Sequence, residues 1–384
     1  MPLSTSTALL PLLPLLLCLC TTISSTILPT VGPTTYPISI TSFALTDPTR
    51  QDPFAPSPRP RSLMASAYTP ILSCAHKANA SYMPPATAAY QDTRFAAYGL
   101  PNGTFEALEL EVCGKPAARS RSCGSPSFPL VVFSGALGTS RLLYSSMLQS
   151  VAAAGYIVVS LDHPYDTDIV EFPDGSTVEA IDISSDADLE RALTTRVQDI
   201  GFLYSQLGNT SFTARILPGS SARFSVSNTA VFGHSFGGAA AAAALLEIPS
   251  LKGALDIDGT LFGPILTTGT AKPFMLLGHE NKTQATDPSW KSAWANLSGW
   301  KKEYEVKGSA HYSFSDLPLI ASSLGFQELL PAEVGEVLGV VEGKRMMEIT
   351  VAYVTGFLDY VLKSGSERKL EQASKEFPEV VQAA

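Results

Sequence analysis

Apolar and polar positions follow two different rhythms along this chain. From Pro37 to Leu45 large apolar residues alternate with small or polar ones, with one slip at Thr41 and Ser42. Residues Arg61 to Tyr68 repeat a weaker form of the same alternation, and a polar, proline-punctuated stretch separates the two. This spacing predicts an antiparallel hairpin. From Leu130 the rhythm changes to short apolar runs separated by helical spacing. Strands are expected over 130–134, 156–162, 229–232, 253–257, 273–277 and 302–306. Helices are expected over 140–154 (ended by Gly155), over 189–207, after residue 238, and over 344–362. Strand and helix in alternation predict an α/β chain, with a mostly parallel central sheet, helices on both faces and the antiparallel hairpin at its start.

The ends read differently. Ala8 to Cys20 is an apolar block too short to span a bilayer and broken by Pro11 and Pro14, and small polar residues follow. Residues 1–24 are therefore expected to be a secretory signal peptide, although its only positive charge is the terminal amine. Residues 25–36 read as a flexible lead, 37–363 as a single domain and 364–384 as a charged tail that frays. The five Asn-x-Ser/Thr sequons at Asn79, Asn102, Asn209, Asn281 and Asn296 suit a secreted glycoprotein. No stable transmembrane anchor is expected after cleavage.

Of 384 residues 45% are hydrophobic and 16% charged, enough for a sizeable core, and the formal charge of −9 argues against nucleic acid as a partner. Cys74, Cys113 and Cys123 remain after the leader. Pairing of Cys113 with Cys123 is preferred, closing a basic glycine-containing loop, while Cys74 could take either partner. No Cys-x-x-Cys or neighbouring histidine offers a metal site, and no cofactor is expected.

Gly233-His234-Ser235-Phe236-Gly237 follows an apolar run and opens an alanine-rich stretch. Strand, glycine-flanked serine and helix in that order form a nucleophile elbow, with glycines where a side chain would strike the neighbouring strand and helix. A serine hydroxyl needs a base, and the base an orienting acid. His234 lies within the elbow, pointing away from the serine. His311 is the last histidine and falls after the last expected strand, where a chain order of serine, acid, histidine puts the base. The acid is open among Asp258, Glu280 and Asp256. Asp258 is preferred, because Gly259 lets the chain turn just beyond it. Backbone N–H groups for an oxyanion are expected from Phe236 and from the glycine loop 135–138. The excursion from Asp166 to Asp188 reads equally as a flap over the site or as a solvated loop.

Four segments taken together (132–145, 233–238, 253–258 and 306–311) resemble the platelet-activating factor acetylhydrolase family, the secreted Ca²⁺-independent phospholipase A2 group. The overall pattern, with its secretory lead, resembles fungal members of the family more closely. The resemblance implies an α/β-hydrolase fold and a Ser235–Asp258–His311 triad. It also implies Leu137 and Phe236 as oxyanion donors, and favours Asp258 over Glu280. The expected activity is hydrolysis of short sn-2 acyl esters of phospholipids, with a small lipid or ester as partner, met at a lipid–water interface. Competing readings are a cutinase-like or metabolite-tailoring esterase, and a non-catalytic binding protein on the same fold.

Overall fold

Continuous runs of Val, Ile, Leu and Phe cannot face water on either side, so they become strands buried on both faces. The computed structural model describes residues 25–116, 127–216 and 225–384. Among these described residues the main sheet has nine strands. These are β1 (Ile38–Gln51), β2 (Pro60–Pro70), β3 (Leu130–Ser134), β4 (Ile157–Leu161), β5 (Thr229–His234), β6 (Leu251–Ile257), β7 (Phe274–His279), β8 (Lys301–Val306) and β9 (Val380–Gln382). Their spatial order is β1-β2-β4-β3-β5-β6-β7-β8-β9. Strands β4 through β8 pair in parallel, while β1 with β2, β2 with β4, and β8 with β9 are antiparallel.

Successive strand residues feed opposite cores. Val131, Phe133, Phe232, Leu255 and Leu277 join one cluster with α1 (Ser145–Ala153) and α4 (Gly343–Asp359). Leu130, Val132, Val231, Ala254 and Leu276 join the other with α2 (Asp186–Leu207) and α3 (Phe236–Glu247). Ser185 starts α2 by accepting the N–H of Asp188, and Asp186 and Asp188 complement its positive end. The alanines of α3 are buried nearly all round, which lets this helix lie between the sheet and α2. This is the α/β-hydrolase architecture, with every strand end that could carry chemistry at one rim.

Three expectations are corrected. Residues 25–36 are not a loose lead: Thr26–Leu28 pairs in parallel with Leu108–Leu110, and Leu28 and Val31 are buried. Residues beyond 364 do not fray as a charged tail. Arg368–Glu376 is a helix that buries Leu370 and Ala373, and β9 pairs Val380 with Val306. The charges there are merely the solvent face of an amphipathic helix. The disulfide joins Cys74 to Cys113, not Cys113 to Cys123. Strands Cys74–Ser81 and Leu108–Pro116 pair antiparallel, which brings the two Cα atoms to 5.7 Å. Closing 39 residues is worth about 2–4 kcal/mol. Cys123 and residues 1–24, expected to be a signal peptide, lie outside the described residues.

The 166–188 excursion is a short hairpin, Ile169–Glu171 against Thr177–Glu179. Its base is tied down, while residues 173–177 at its tip are exposed. Glu171 accepts from Thr87, and Asp168 accepts from Gln91 and Arg94, all on the helix Pro85–Ala96.

Candidate active site

Ser235 sits between β5 and α3 at φ +56° and ψ −126°, a conformation side chains avoid unless the surroundings hold it. The surroundings do so through contacts only glycine permits. A Cβ on Gly233 would stand 2.1 Å from the Gly237 carbonyl oxygen, and one on Gly237 would stand 2.0 Å from the Ser134 carbonyl oxygen. The Ser235 N–H donates to the Ile257 carbonyl at 2.8 Å, pinning the turn to β6. Its hydroxyl is left at the sheet rim, half-buried.

The structure brings two of the predicted partners to this hydroxyl. His311 Nε2 lies 2.9 Å from Ser235 Oγ, and His311 Nδ1 lies 2.5 Å from Asp258 Oδ2. A carboxylate oxygen only accepts, so Nδ1 carries the proton and the Nε2 lone pair faces the serine hydroxyl. Asp258 follows β6, is 1% exposed and has φ +58°. Burial pushes its carboxyl up, but hydrogen bonds from His279 and His311 outweigh that and hold it below the usual range.

The two other acids lie elsewhere. Glu280 is exposed and accepts the Gly308 N–H at 3.1 Å. Asp256 is buried beneath the elbow, where it accepts from the Gly259 N–H. Burial pushes its carboxyl well above the ordinary range.

His311 opens a short turn whose far end is clamped. Asp316 accepts from the N–H groups of Ser146 and Met147 at the start of α1 and from the Tyr82 hydroxyl. Burial raises it to about 7.

The loop 135–138 carries Leu137 beside the elbow. Ala136 N–H donates to the Tyr144 hydroxyl and Gly138 N–H to the Asp166 carbonyl. The N–H groups of Leu137 and Phe236 have no acceptor among the described residues. Beneath them Arg196, 1% exposed, spends all five donors: two on Asp166, and one each on Ser134 Oγ, Gly135 O and Ala136 O. Its guanidinium also stacks 4.9 Å from the Phe236 ring. Sequence reasoning missed this residue, because a lone arginine on an amphipathic helix reads as surface charge.

His163 is no base for Ser235. It is buried between Ser134 Oγ (3.0 Å) and Asp199 (2.9 Å), and burial lowers it. Asp199 in turn binds Arg61 and Arg50. The same three residue types thus occur twice, and only the group at the rim can meet a substrate.

His234 points away from the serine, as its place in the elbow predicts. Its Nε2–H donates to the His311 carbonyl at 2.8 Å, so its Nδ1 accepts from the Tyr144 hydroxyl at 2.8 Å. Burial depresses it to about 3, and it stays neutral. The chain Ala136–Tyr144–His234–His311 therefore couples the glycine loop to the backbone of the histidine loop. His234, Asp258 and His311 have ligand atoms within 4.8 Å of one another, the spacing of a metal site. Those of His234 and Asp258 are already committed to the hydrogen bonds just described, so an ion there would have to break them.

The sequence matches the family described as "Platelet-activating factor acetylhydrolase, isoform II" over residues 109–172 and 206–372. It is 32% identical over 358 residues, 88% of this chain and 89% of the other, to the "Probable 1-alkyl-2-acetylglycerophosphocholine esterase" of Arthroderma benhamiae. A platelet-activating factor acetylhydrolase of Cavia porcellus is 25% identical over 214 residues, covering 49% of this chain and 48% of that one. Among solved structures, a ferulic acid esterase from Streptomyces cinnamoneus superposes with a TM-score of 0.76 at 30% identity. That match covers 92% of this chain and 99% of the esterase. With the fold, the rim geometry and a match over more than half its length in agreement, the chain belongs to the platelet-activating factor acetylhydrolase, isoform II, family.

Proposed function

We propose that this chain is a serine ester hydrolase that removes a short sn-2 acyl group from a glycerophospholipid such as a 1-alkyl-2-acetylglycerophosphocholine. The observation that carries the reading is the hydrogen-bonded line Ser235 Oγ–His311 Nε2, His311 Nδ1–Asp258 Oδ2. Ser235 attacks the ester carbonyl as His311 takes its proton. The Asp258 carboxylate stabilises the imidazolium, and the N–H groups of Leu137 and Phe236 receive the oxyanion, the second at a helix N-terminus. His311 then protonates the departing lysolipid alkoxide. In the second half it deprotonates a water that attacks the acyl-enzyme, releasing the acid and regenerating Ser235.

The substrate class draws on the name of the Arthroderma benhamiae relative. An apolar cavity of about 120 Å³ adds support, bounded by Phe95, Thr139, Leu143, Tyr312, Ile320 and Val334 beside the histidine loop. An apolar cavity of about 150 Å³ accepts a benzene-sized guest, so this one suits a short hydrocarbon segment.

The likeness to a ferulic acid esterase favours a second reading, hydrolysis of soluble aromatic esters. Rates on matched substrates separate the two. The sn-2 acetyl phospholipid should be cleaved at least about tenfold faster than its sn-2 palmitoyl counterpart and faster than methyl ferulate. Preference for the ferulate would overturn the lipid reading.

Secretion and glycosylation belong to the same proposal. They are supported by the apolar leader, by a disulfide suited to an oxidising compartment and by the exposure of all five sequon asparagines. Among the described residues no helix is long and apolar enough to cross a membrane.

A further inference from the structure

Asp258 serves two histidines. Strands β6 and β7 run in register, with Ile257 opposite Leu277, so the last residue of β7, His279, stands beside Asp258. Both its donors converge on one oxygen: the backbone N–H lies 2.9 Å and Nδ1 2.6 Å from Asp258 Oδ1. Oδ2 is left to His311. Because a carboxylate oxygen accepts, Nδ1 of His279 carries its proton.

The carboxylate is 1% exposed on a left-handed backbone residue, so lone pairs that the protein does not fill stay unfilled. A purely packing role suits His279 poorly. Its side chain is 34% exposed, and the atom it turns inward is the donor.

We infer that His279 is a positioning residue of the hydrolytic centre, whose paired donors on Oδ1 fix the Asp258 carboxylate in the orientation that presents Oδ2 to His311. The inference rests on the Ser235–His311–Asp258 reading proposed above. Without the Nδ1 donor, Oδ1 keeps only the backbone N–H, and the carboxylate can turn. His311 would then lose part of the charge that stabilises its protonated form. A hydrogen bond to a charged group corresponds to roughly 10- to 100-fold in rate when it acts in the transition state.

The test uses the full chain and a short-chain p-nitrophenyl ester. His279→Phe keeps a ring of similar shape without the donor, whereas His279→Asn places an N–H close to the former Nδ1. The phenylalanine variant should lose kcat by about tenfold or more with KM within about twofold, and the asparagine variant should recover kcat to within about threefold of wild type. If the phenylalanine variant does not fold, His279→Ala takes its place with the same expected loss of kcat. An unchanged kcat without the donor, or an equal loss in the asparagine variant, overturns the inference. Ser235→Ala, run alongside, separates the two failures. An active Ser235→Ala enzyme refutes the underlying reading, whereas an inactive one beside a fully active His279→Phe enzyme refutes only the role of His279.

Discussion

Replacing Ser235 with alanine is expected to lower kcat on a short-chain ester by about 10⁴-fold or more while leaving the thermal unfolding midpoint within a few degrees. The size follows from the chemistry. The hydroxyl is the attacking atom, and neither the oxyanion donors nor the binding surface can form an acyl-enzyme without it. What they can still do is bind and polarise the ester, so some rate above that of water should survive. The small structural effect follows from the site. Ser235 Oγ bonds only to His311 among the described residues, and the backbone bond that pins the elbow, Ser235 N–H to Ile257 O, is unchanged in alanine. Initial rates and a melting curve on the same preparation check both halves. Full activity in the alanine variant would contradict the mechanism.

Arg196→Met is expected to cost about 3–5 kcal/mol of stability, because it leaves the Asp166 carboxylate buried at 2% exposure without its counter-charge. The same change strips donors from the carbonyls of Gly135 and Ala136 and removes the cation beneath the Phe236 ring. The N–H groups of Leu137 and Phe236 then lose the support that aims them. Misplacing one oxyanion donor corresponds to roughly 10²-fold in kcat. Arg196→Lys should fail to restore either property, since one ammonium cannot span five acceptors spread over the loop and Asp166. Urea unfolding reads the first effect and kcat on a short-chain ester the second. A methionine variant as stable and as fast as wild type would show that the buried guanidinium supports nothing.

The readable parts of this chain are those in which local pattern and final environment agree. Val131–Phe133, Ile157–Val159 and Val231–Phe232 are unbroken apolar runs, and they lie buried at the middle of the sheet. The elbow is readable because its glycines answer contacts within a few residues or with the adjacent strand. His311 could be chosen by chain order alone. The unreadable parts depend on distant partners. Thr26–Leu28 finds its mate at Leu108–Leu110, and Cys74 finds Cys113 through a strand pairing whose two members are separated by a helix, so neither leaves a local signature. Strand β9 is three residues long at the end of a charged segment. Its place is set by Val306 and by Arg345 holding Glu379. Arg196, Asp166 and the Ser134–His163–Asp199 cluster are polar residues that become interior only because they satisfy one another. The partner of His279, the acid Asp258, comes from the neighbouring strand and is visible only once β6 and β7 are set in register.

The central claim is that the Ser235 oxygen, activated by His311, is the nucleophile. Peptide mass spectrometry after treatment with a fluorophosphonate tests it most directly, because only an activated serine forms the covalent adduct at useful rate. A single adduct on the peptide containing Ser235, lost when His311 is changed to alanine, is the result this account predicts. A protein that stays unlabelled, or one labelled on a different residue, would contradict it.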